Sequence, residues 1–410
     1  MKKLLLSAVL ILSVNAESLK SVLNYAITHN ELALSKDITA KQPLMEGESI
    51  KKDYYPKIYI GGNFQRLDPV PFGKPGDTYN GFVKVSINLY DGGKKNYQIK
   101  SKKFQFKSLQ YQSKSYKNQL EFNIVNLYFN IKSIKAELKA LKSAKDYLLA
   151  EYKRVENSYK EGLVTKYDVK KIEASLFNIK YQIENLKYQL SELKNNLNLY
   201  VGKKISNIDN SFIIIPKNIK ANTLDNIKAL NAQMKEIEYS AKSLNSVYKP
   251  QINLEDSYSV YKYARDDKVL YEEDNQNQLS LTINMLIFDN NSVKKQKEAL
   301  LVQKLSLQKQ IDYYKKEQNK NIKLAILNIK TIKAQILSAQ KSLEAANTAF
   351  EIISNKYHIG DATVVDYLDA LNQKTNALAE YKVAIYRLQV AYANYYLNAN
   401  YDIRNYIKEK

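Results

Sequence analysis

The chain of 410 residues repeats itself, and this repeat is the strongest constraint on how it folds. Residues 88–91 (NLYD) match residues 286–289 (LIFD) at an offset of 198 residues. A second motif repeats at the same offset, with Tyr, Gly, Thr and Asp at matched positions: Tyr159, Gly162, Thr165 and Asp168 against Tyr357, Gly360, Thr363 and Asp366. We therefore expect two copies of one structural unit within the chain.

Each half contains long stretches in which apolar residues recur at alternating steps of four and three. The ladders run from Leu120 to Tyr159, from Val169 to Leu197 and from Ile322 to Tyr357. A mean apolar period of 3.5 residues is typical of coiled coils. Gly162 and Gly360 follow the first and third ladders, and each predicts a turn into a second, antiparallel helix.

Four shorter segments alternate apolar and polar residues with a period of two, which predicts β-strands at about 55–64, 79–90, 250–263 and 277–288. The sequence offers no further domain to cover the apolar face of such a sheet. In an outer-membrane barrel the apolar face meets lipid and the polar face a wet lumen. Four strands cannot enclose a lumen, and a membrane does not tolerate open sheet edges. Several copies must therefore combine, and three copies would supply twelve strands.

The N-terminus predicts an exported protein, because Lys2 and Lys3 precede an apolar stretch and small residues lead to Ala16. With no Cys and with only His29 and His358, the composition argues against disulfides, metal sites and catalytic triads. The net charge of +21 comes from lysines scattered along the chain, so we interpret it as a compositional bias. We predict no enzyme activity, no cofactor, no metal site and no nucleic-acid partner.

These patterns divide the chain into a signal peptide (1–16), a first repeat (17–200), an equatorial linker region (201–223), a second repeat (224–400) and a C-terminal tail (401–410). Each repeat is expected to begin with a helix, followed by its two strands. The long helices are expected at about 92–160, 163–200, 291–358 and 361–399. The predicted fold class is mainly α with membrane β, a long antiparallel coiled-coil α-barrel with four strands per protomer. A soluble periplasmic coiled-coil scaffold or adaptor protein is the alternative interpretation.

In these motifs the chain resembles the TolC-like outer-membrane efflux protein family. The resemblance covers nearly all of the mature sequence and is most specific at the two turn motifs, residues 159–169 and 357–370. It implies a homotrimeric channel-tunnel with a twelve-stranded barrel in outer-membrane lipid and an α-helical barrel that extends into the periplasm. The implied function is a passive exit duct for tripartite efflux or type I secretion. Its partners would be a periplasmic adaptor (membrane fusion) protein and an inner-membrane pump of the RND, ABC or MFS type.

The resemblance also implies roles for residues at the periplasmic tip. Asp366 and Asp369 match the acidic rings of the pore constriction, where six carboxylates of a trimer would repel one another and favour cations. Tyr357 and Asp168, with Tyr167, match the latch that closes the tip. The hairpin turns that meet the adaptor match Gly162, Leu163, Val164, Gly360, Asp361 and Ala362.

Two departures from the family pattern affect this latch. Ala362 replaces an arginine, and Tyr167 replaces another hydroxyl partner, so we expect the latch to be weaker or built differently. His358, next to Tyr357, is either a surface residue or a pH sensor. The exported cargo is not encoded in any motif that we identify.

Overall fold

The structure is a computed structural model that describes residues 17–216, 220–264 and 273–409. The predicted signal peptide and most of the polar loop between the second pair of strands lie outside these residues. Within the described part of the chain, no helix contains an apolar stretch long enough to cross a membrane. The helices and strands follow in chain order: α1 (Leu19–His29), α2 (Glu31–Lys52), β1 (Lys57–Arg66), β2 (Asp77–Asp91), α3 (Lys94–Lys160), α4 (Lys166–Val201), β3 (Phe212–Ile213), α5 (Asp225–Leu244), β4 (Gln251–Ala264), β5 (Asn275–Asn284), α6 (Ser292–His358), α7 (Val364–Asn398) and β6 (Ile407–Lys408).

The repeat found in the sequence is a repeat of structure. The order helix, two strands, very long helix and second long helix occurs twice. Helices α3 and α6 both contain 67 residues. They begin and end at positions that differ by the same offset as the sequence motifs. The fold is therefore mainly α-helical with one four-stranded sheet, and the predicted fold class is confirmed.

Contacts divide the chain into two compact units, and the first contains residues 36–112 and 226–314, apart from residues 265–272. It contains an antiparallel sheet with the strand order β1-β2-β4-β5, so that β1 and β5 form the two edges. The registers place Ile60, Val83 and Tyr258 on one face, and all three are exposed. The opposite face is polar, and Asn88 donates to Asn253 across it at 2.7 Å.

The same device joins strand to helix in both repeats and explains the first repeated motif. The carboxylate of Asp91 accepts hydrogen bonds from the backbone N–H groups of residues 93 and 95, at 2.9 and 2.8 Å. Asp289 accepts from residues 291 and 293 at 3.1 and 2.8 Å. These bonds satisfy N–H groups that the first turn of a helix leaves without partners. The turn needs positive φ, which the first repeat provides with glycines and the second with Asn290 and Asn291.

The second unit contains residues 17–35, 113–225 and 315–409, apart from residues 217–219. Its larger core cluster surrounds the fully buried Tyr128, Phe129 and Tyr396. A second cluster joins α3, α4, α6 and α7 through apolar residues of the predicted ladders, such as Val155 and Ile172. The C-terminal tail is folded, because β6 pairs with β3.

Two details differ from the sequence predictions. The helix predicted before the first strand is two helices, because Asn30 ends α1 and its Oδ1 accepts from the N–H of Ala33 in α2 at 2.9 Å. Strand β5 ends at Asn284, not at residue 288. The physical reason is its partner: Asn284 pairs with Gln251, the first residue of β4, so the residues beyond it have no facing strand.

Candidate functional site: the two hairpin ends

The predicted tip residues lie at the two turns that join α3 to α4 and α6 to α7. In the first turn, Leu163 N–H donates to the carbonyl of Ser158 at 2.8 Å and Gly162 N–H to that of Tyr159 at 3.0 Å. Such paired bonds close a helix around a residue with positive φ, and φ is 76° at Gly162. The second turn repeats the pattern, and φ is 90° at Gly360. Glycine is required at both positions because a side chain strains this backbone conformation.

Each returning helix begins with a capping box. Thr165 Oγ1 accepts from the N–H of Asp168 at 3.3 Å, and the Asp168 carboxylate accepts from the N–H of Thr165 at 3.1 Å. In the second hairpin Thr363 and Asp366 make the same exchange at 3.2 and 2.9 Å. The repeated Thr and Asp of the sequence motif therefore start α4 and α7.

Asp366 and Asp369, the predicted constriction residues, are both exposed in the single chain. Hydrogen bonds from the hydroxyl and the backbone N–H of Thr363 lower the pKa of Asp366. Asp369 accepts from the side-chain amide of Gln373 at 2.7 Å. The mutual repulsion predicted for these carboxylates requires three chains, so it stays a prediction.

The other predicted tip residues are mostly exposed. The side chains of Leu163 and Tyr167 are 72% and 57% exposed, and Asp361 is also exposed. Val164 and Ala362 are half-buried, and Val164 packs against the second core cluster, which joins α3, α4, α6 and α7. The turns thus present both apolar and charged groups to solvent.

Tyr357 lies in a cluster of side chains that the sequence did not predict. The guanidinium of Arg154 is 5.2 Å from the centre of the Tyr357 ring, which stacks on Tyr367 with centroids 5.0 Å apart. Arg154 donates from Nε to both carboxylate oxygens of Glu151, at 3.0 and 3.2 Å. His358 Nε2 lies 3.4 Å from the same carboxylate. The carboxylate of Glu151 thus connects α3 with the end of α6.

This hairpin-end cluster (Glu151, Arg154, Tyr357, His358 and Tyr367) is partly shielded from water. Glu151 is 5% exposed and Tyr367 is 3% exposed. Burial, together with the charge of Glu151, raises the pKa of Tyr357 to about 12, so its hydroxyl remains a hydrogen-bond donor at neutral pH. The pair with Glu151 raises the pKa of Arg154 further. The predicted Tyr357–Asp168 latch stays a prediction, since Asp168 caps its own helix in the single chain.

Arginine was the signal that could have led to this cluster. The sequence contains only five arginines, although Lys and Arg together number 63. Arg154, Arg66 and Arg404 all pair with carboxylates, those of Glu151, Asp77 and Asp402. Arginine's planar, two-pronged donor geometry suits such pairs better than lysine does. The position of Arg154, three residues after Glu151, was therefore a sequence signal for a structured ion pair.

Solved structures with the same fold are outer-membrane proteins. VceC from Vibrio cholerae matches with a TM-score of 0.77 and 14% identity, over 94% of this chain and 96% of that one. The CmeC outer membrane channel of Campylobacter jejuni matches with a TM-score of 0.79 and 17% identity, over 94% and 86% of the two chains. For the MtrE outer membrane channel of Neisseria gonorrhoeae, solved in its open state, the values are 0.72 and 13%, over 93% and 89%.

A comparison of the sequence with family models identifies the family. The family model described as outer membrane efflux protein matches residues 48–203 and 216–397, which is most of the chain and follows its two repeats. The chain belongs to the outer membrane efflux protein family. Its location is therefore the outer membrane. No curated protein matches the chain by sequence.

Proposed function

We propose that three copies of this chain form the exit duct of a tripartite efflux or type I secretion system. Export through the duct is passive, and an adaptor and an inner-membrane pump engage its periplasmic tip. The observation that carries this proposal is the sheet: it has one exposed apolar face, one polar face and two edge strands that have no strand partner among the described residues. In a membrane such edges must pair, and pairing β5 of one copy with β1 of the next closes a barrel.

The two hairpin ends support a gate at the tip. Their turns expose apolar and charged side chains, and the carboxylates of Asp366 and Asp369 remain exposed in the single chain. Three copies would gather six of these carboxylates around the pore axis, where they attract cations. An adaptor opens such a gate only if it binds the open tip more tightly than the closed tip.

The first experiment asks whether the chain assembles and conducts. The full chain, expressed with its leader, should fractionate with the outer membrane, migrate as an SDS-resistant trimer and form channels in planar bilayers. In the Asp366→Asn/Asp369→Asn variant we expect weaker cation selectivity and weaker block by multivalent cations, because the fixed negative charge is gone.

The matched control is Asp146→Asn/Asp312→Asn, which removes two carboxylates of α3 and α6 away from the hairpin turns and should leave selectivity unchanged. Monomeric protein in the soluble fraction would contradict the duct and favour a periplasmic scaffold. Trimeric channels whose selectivity is the same in both variants would contradict only the placement of Asp366 and Asp369 in the pore.

A further inference from the structure

A seven-residue pattern in the first part of α3 is not explained by coiled-coil packing. An aromatic residue recurs at positions 97, 104 and 111, and a lysine recurs three residues later, at 100, 107 and 114. Between Gly92 and Leu120 the sequence contains eight lysines and no acidic residue. Helix α5 has the same spacing, with lysines at 228, 235 and 242. Seven residues are close to two helical turns, so each series lies along one side of its helix.

The structure brings the two series together. The rings of Phe104 in α3 and Tyr239 in α5 stack with centroids 5.4 Å apart. Each ring contacts two lysines, one from α3 and one from α5. Lys107 and Lys235 lie 5.2 and 5.4 Å from the Phe104 centroid. Over Tyr239 the corresponding distances are 5.8 and 5.0 Å, for Lys100 and Lys242.

We call these five lysines (Lys100, Lys107, Lys228, Lys235 and Lys242) the lysine ladder. Lys228 continues it, 5.8 Å from the ring of Tyr111. Ring contacts orient the ammonium groups, since each cation is attracted by the face of an aromatic ring. Glu238 is one carboxylate that pairs with the ladder, and it is shared between Lys242 at 2.9 Å and Lys304 at 3.5 Å. Positive charge therefore accumulates along this side of the helix pair.

The position of the lysine ladder on α3 determines which face of the helix wall a ligand must approach. Helix α3 has a neighbour on each of two sides. Lys102 contacts α2 on one side, and Ser101 and Ser108 contact α5 on the other. These two contact sides divide the helix circumference into a narrow and a wide arc. At 100° per residue, Lys100 and Lys107 fall on the wide arc, which covers roughly two-thirds of the circumference. In a closed wall of helices the wider arc is the convex one. The ladder therefore faces outward from the duct, and this step rests on the proposed function.

The distance from the sheet argues against a lipid headgroup as the ligand. Lys100 lies nine residues beyond the last residue of β2, and Lys107 sixteen. At 1.5 Å per residue these positions are about 14 and 24 Å below the strand end. A headgroup layer is only about 5–8 Å thick on each side of the hydrocarbon. The ladder thus extends along the helices beyond the reach of the inner leaflet.

The surface also differs from that expected for a protein partner. Among the described residues 92–112 and 226–244, no large hydrophobic side chain is exposed. Stable protein interfaces normally contain a buried apolar centre with aromatic anchors. Here lysines cover the aromatic rings, so the groups that a ligand can contact are ammonium groups. A hydrophilic, extended polyanion fits this surface best.

We propose that the lysine ladder binds the carboxylate-bearing glycan–peptide polymer of the cell wall and so anchors the duct where it passes through that layer. The exposed ammonium groups, the regular spacing and the outward position all suit an extended polycarboxylate. Such binding is electrostatic, so it weakens as salt shortens the Debye length from about 10 Å at 0.1 M to about 3 Å at 1 M.

The test is cosedimentation of the full-length protein in detergent with sacculi purified from a Gram-negative bacterium. Each lysine near a polyanion contributes about fivefold to affinity. We therefore expect the quadruple variant Lys100→Gln/Lys107→Gln/Lys235→Gln/Lys242→Gln to bind at least a hundredfold more weakly than the wild type. The quadruple Lys→Arg variant keeps the charges and should bind like the wild type.

The matched control changes four other exposed lysines of the same unit to Gln: Lys41, Lys51, Lys294 and Lys309. Its binding should fall much less than that of the ladder variant. Equal losses in both Gln variants, or unchanged binding in the ladder variant, would overturn the proposal. Binding of the wild type to phosphatidylglycerol vesicles but not to sacculi would overturn it in favour of lipid. Trimer formation and conductance are measured on the same samples, so failure of the duct and failure of the anchor are distinguishable.

Discussion

A buried glutamate in α3 predicts that stability falls as the pH rises. Glu121 is 2% exposed, and its Oε2 has no hydrogen-bond partner in the structure. Arg404 Nε is 3.2 Å from Oε1, but the same guanidinium also donates to Asp402 at 2.9 and 2.6 Å. Burial, followed by the charge of Asp402, outweighs this shared arginine and raises the pKa of Glu121 from 4.5 to about 8.

The sign and the size follow from linkage. Below about pH 4.5 the folded and the unfolded chain both hold this proton, so Glu121 does not affect stability. Between pH 4.5 and 8 the unfolded chain has released it and the folded chain has not, so the free energy of unfolding decreases as the pH rises. One pKa unit corresponds to about 1.4 kcal/mol, so the full cost at higher pH is up to about 5 kcal/mol.

Glu121→Gln should remove this cost, because an amide stays neutral and can still accept from Arg404 and donate to Asp402. The assay is the thermal midpoint of the purified protein, followed by far-UV circular dichroism from pH 4.5 to 9. We expect the variant to match the wild type near pH 5 and to be more stable above pH 8. Glu184→Gln, at a side chain that is 70% exposed, is the control. A wild-type midpoint that is flat across this range, or a slope retained in Glu121→Gln, would refute the reasoning.

Three further substitutions test separate parts of the structure. Glu151→Gln should cost about 1–2 kcal/mol in thermal unfolding, because it weakens charged hydrogen bonds to Arg154, which is itself partly exposed; no loss would mean that the cluster adds nothing to stability. Asp256→Leu should stabilise the protein in lipid vesicles by about 1 kcal/mol, measured by urea unfolding, because the register places this carboxylate between Val85 and Leu279 on the apolar face; a destabilised variant would argue against lipid contact. Gly360→Ala should lower the free energy of unfolding by about 1–2 kcal/mol, seen as a lower thermal midpoint, because alanine strains the positive φ, whereas Gly81→Ala, equally open but without a positive φ, should be close to neutral.

Much of the architecture was readable because its signals are local. Helix starts depend on a Thr or Asp within a few residues, and turns depend on a glycine with positive φ. The turn glycines therefore predicted α4 and α7 to begin at about 163 and 361, and the caps Thr165 and Thr363 place the starts three residues later in both halves. The alternating pattern gave the strands for the same reason, since each residue's face follows from its neighbours in sequence.

The chemistry of the hairpin ends was less readable because it depends on which helices meet. Nothing in the sequence joins Glu151 to His358, which are 207 positions apart. Asp168 shows the opposite difficulty: resemblance assigns it to a latch, whereas in the single chain its carboxylate completes the cap of α4. A short polar side chain near a helix start satisfies its own backbone first, and only an assembled tip can show whether it also has a distant partner.

The two repeats share their strand–helix corners and helix caps but not the charge pattern of their long helices. The corners at Asp91 and Asp289 and the capping boxes use the same chemistry twice, because each must satisfy the same backbone groups. The aromatic and lysine series of α3, by contrast, has no counterpart at the same offset in α6: residues 295, 302 and 309 are Lys, Val and Lys where α3 has Tyr, Phe and Tyr. A charge pattern that is present in one copy alone is what we expect for a surface that binds a ligand through that copy. This difference between equivalent helices is the reason to look for a ligand at α3 and α5 rather than to attribute every lysine to composition.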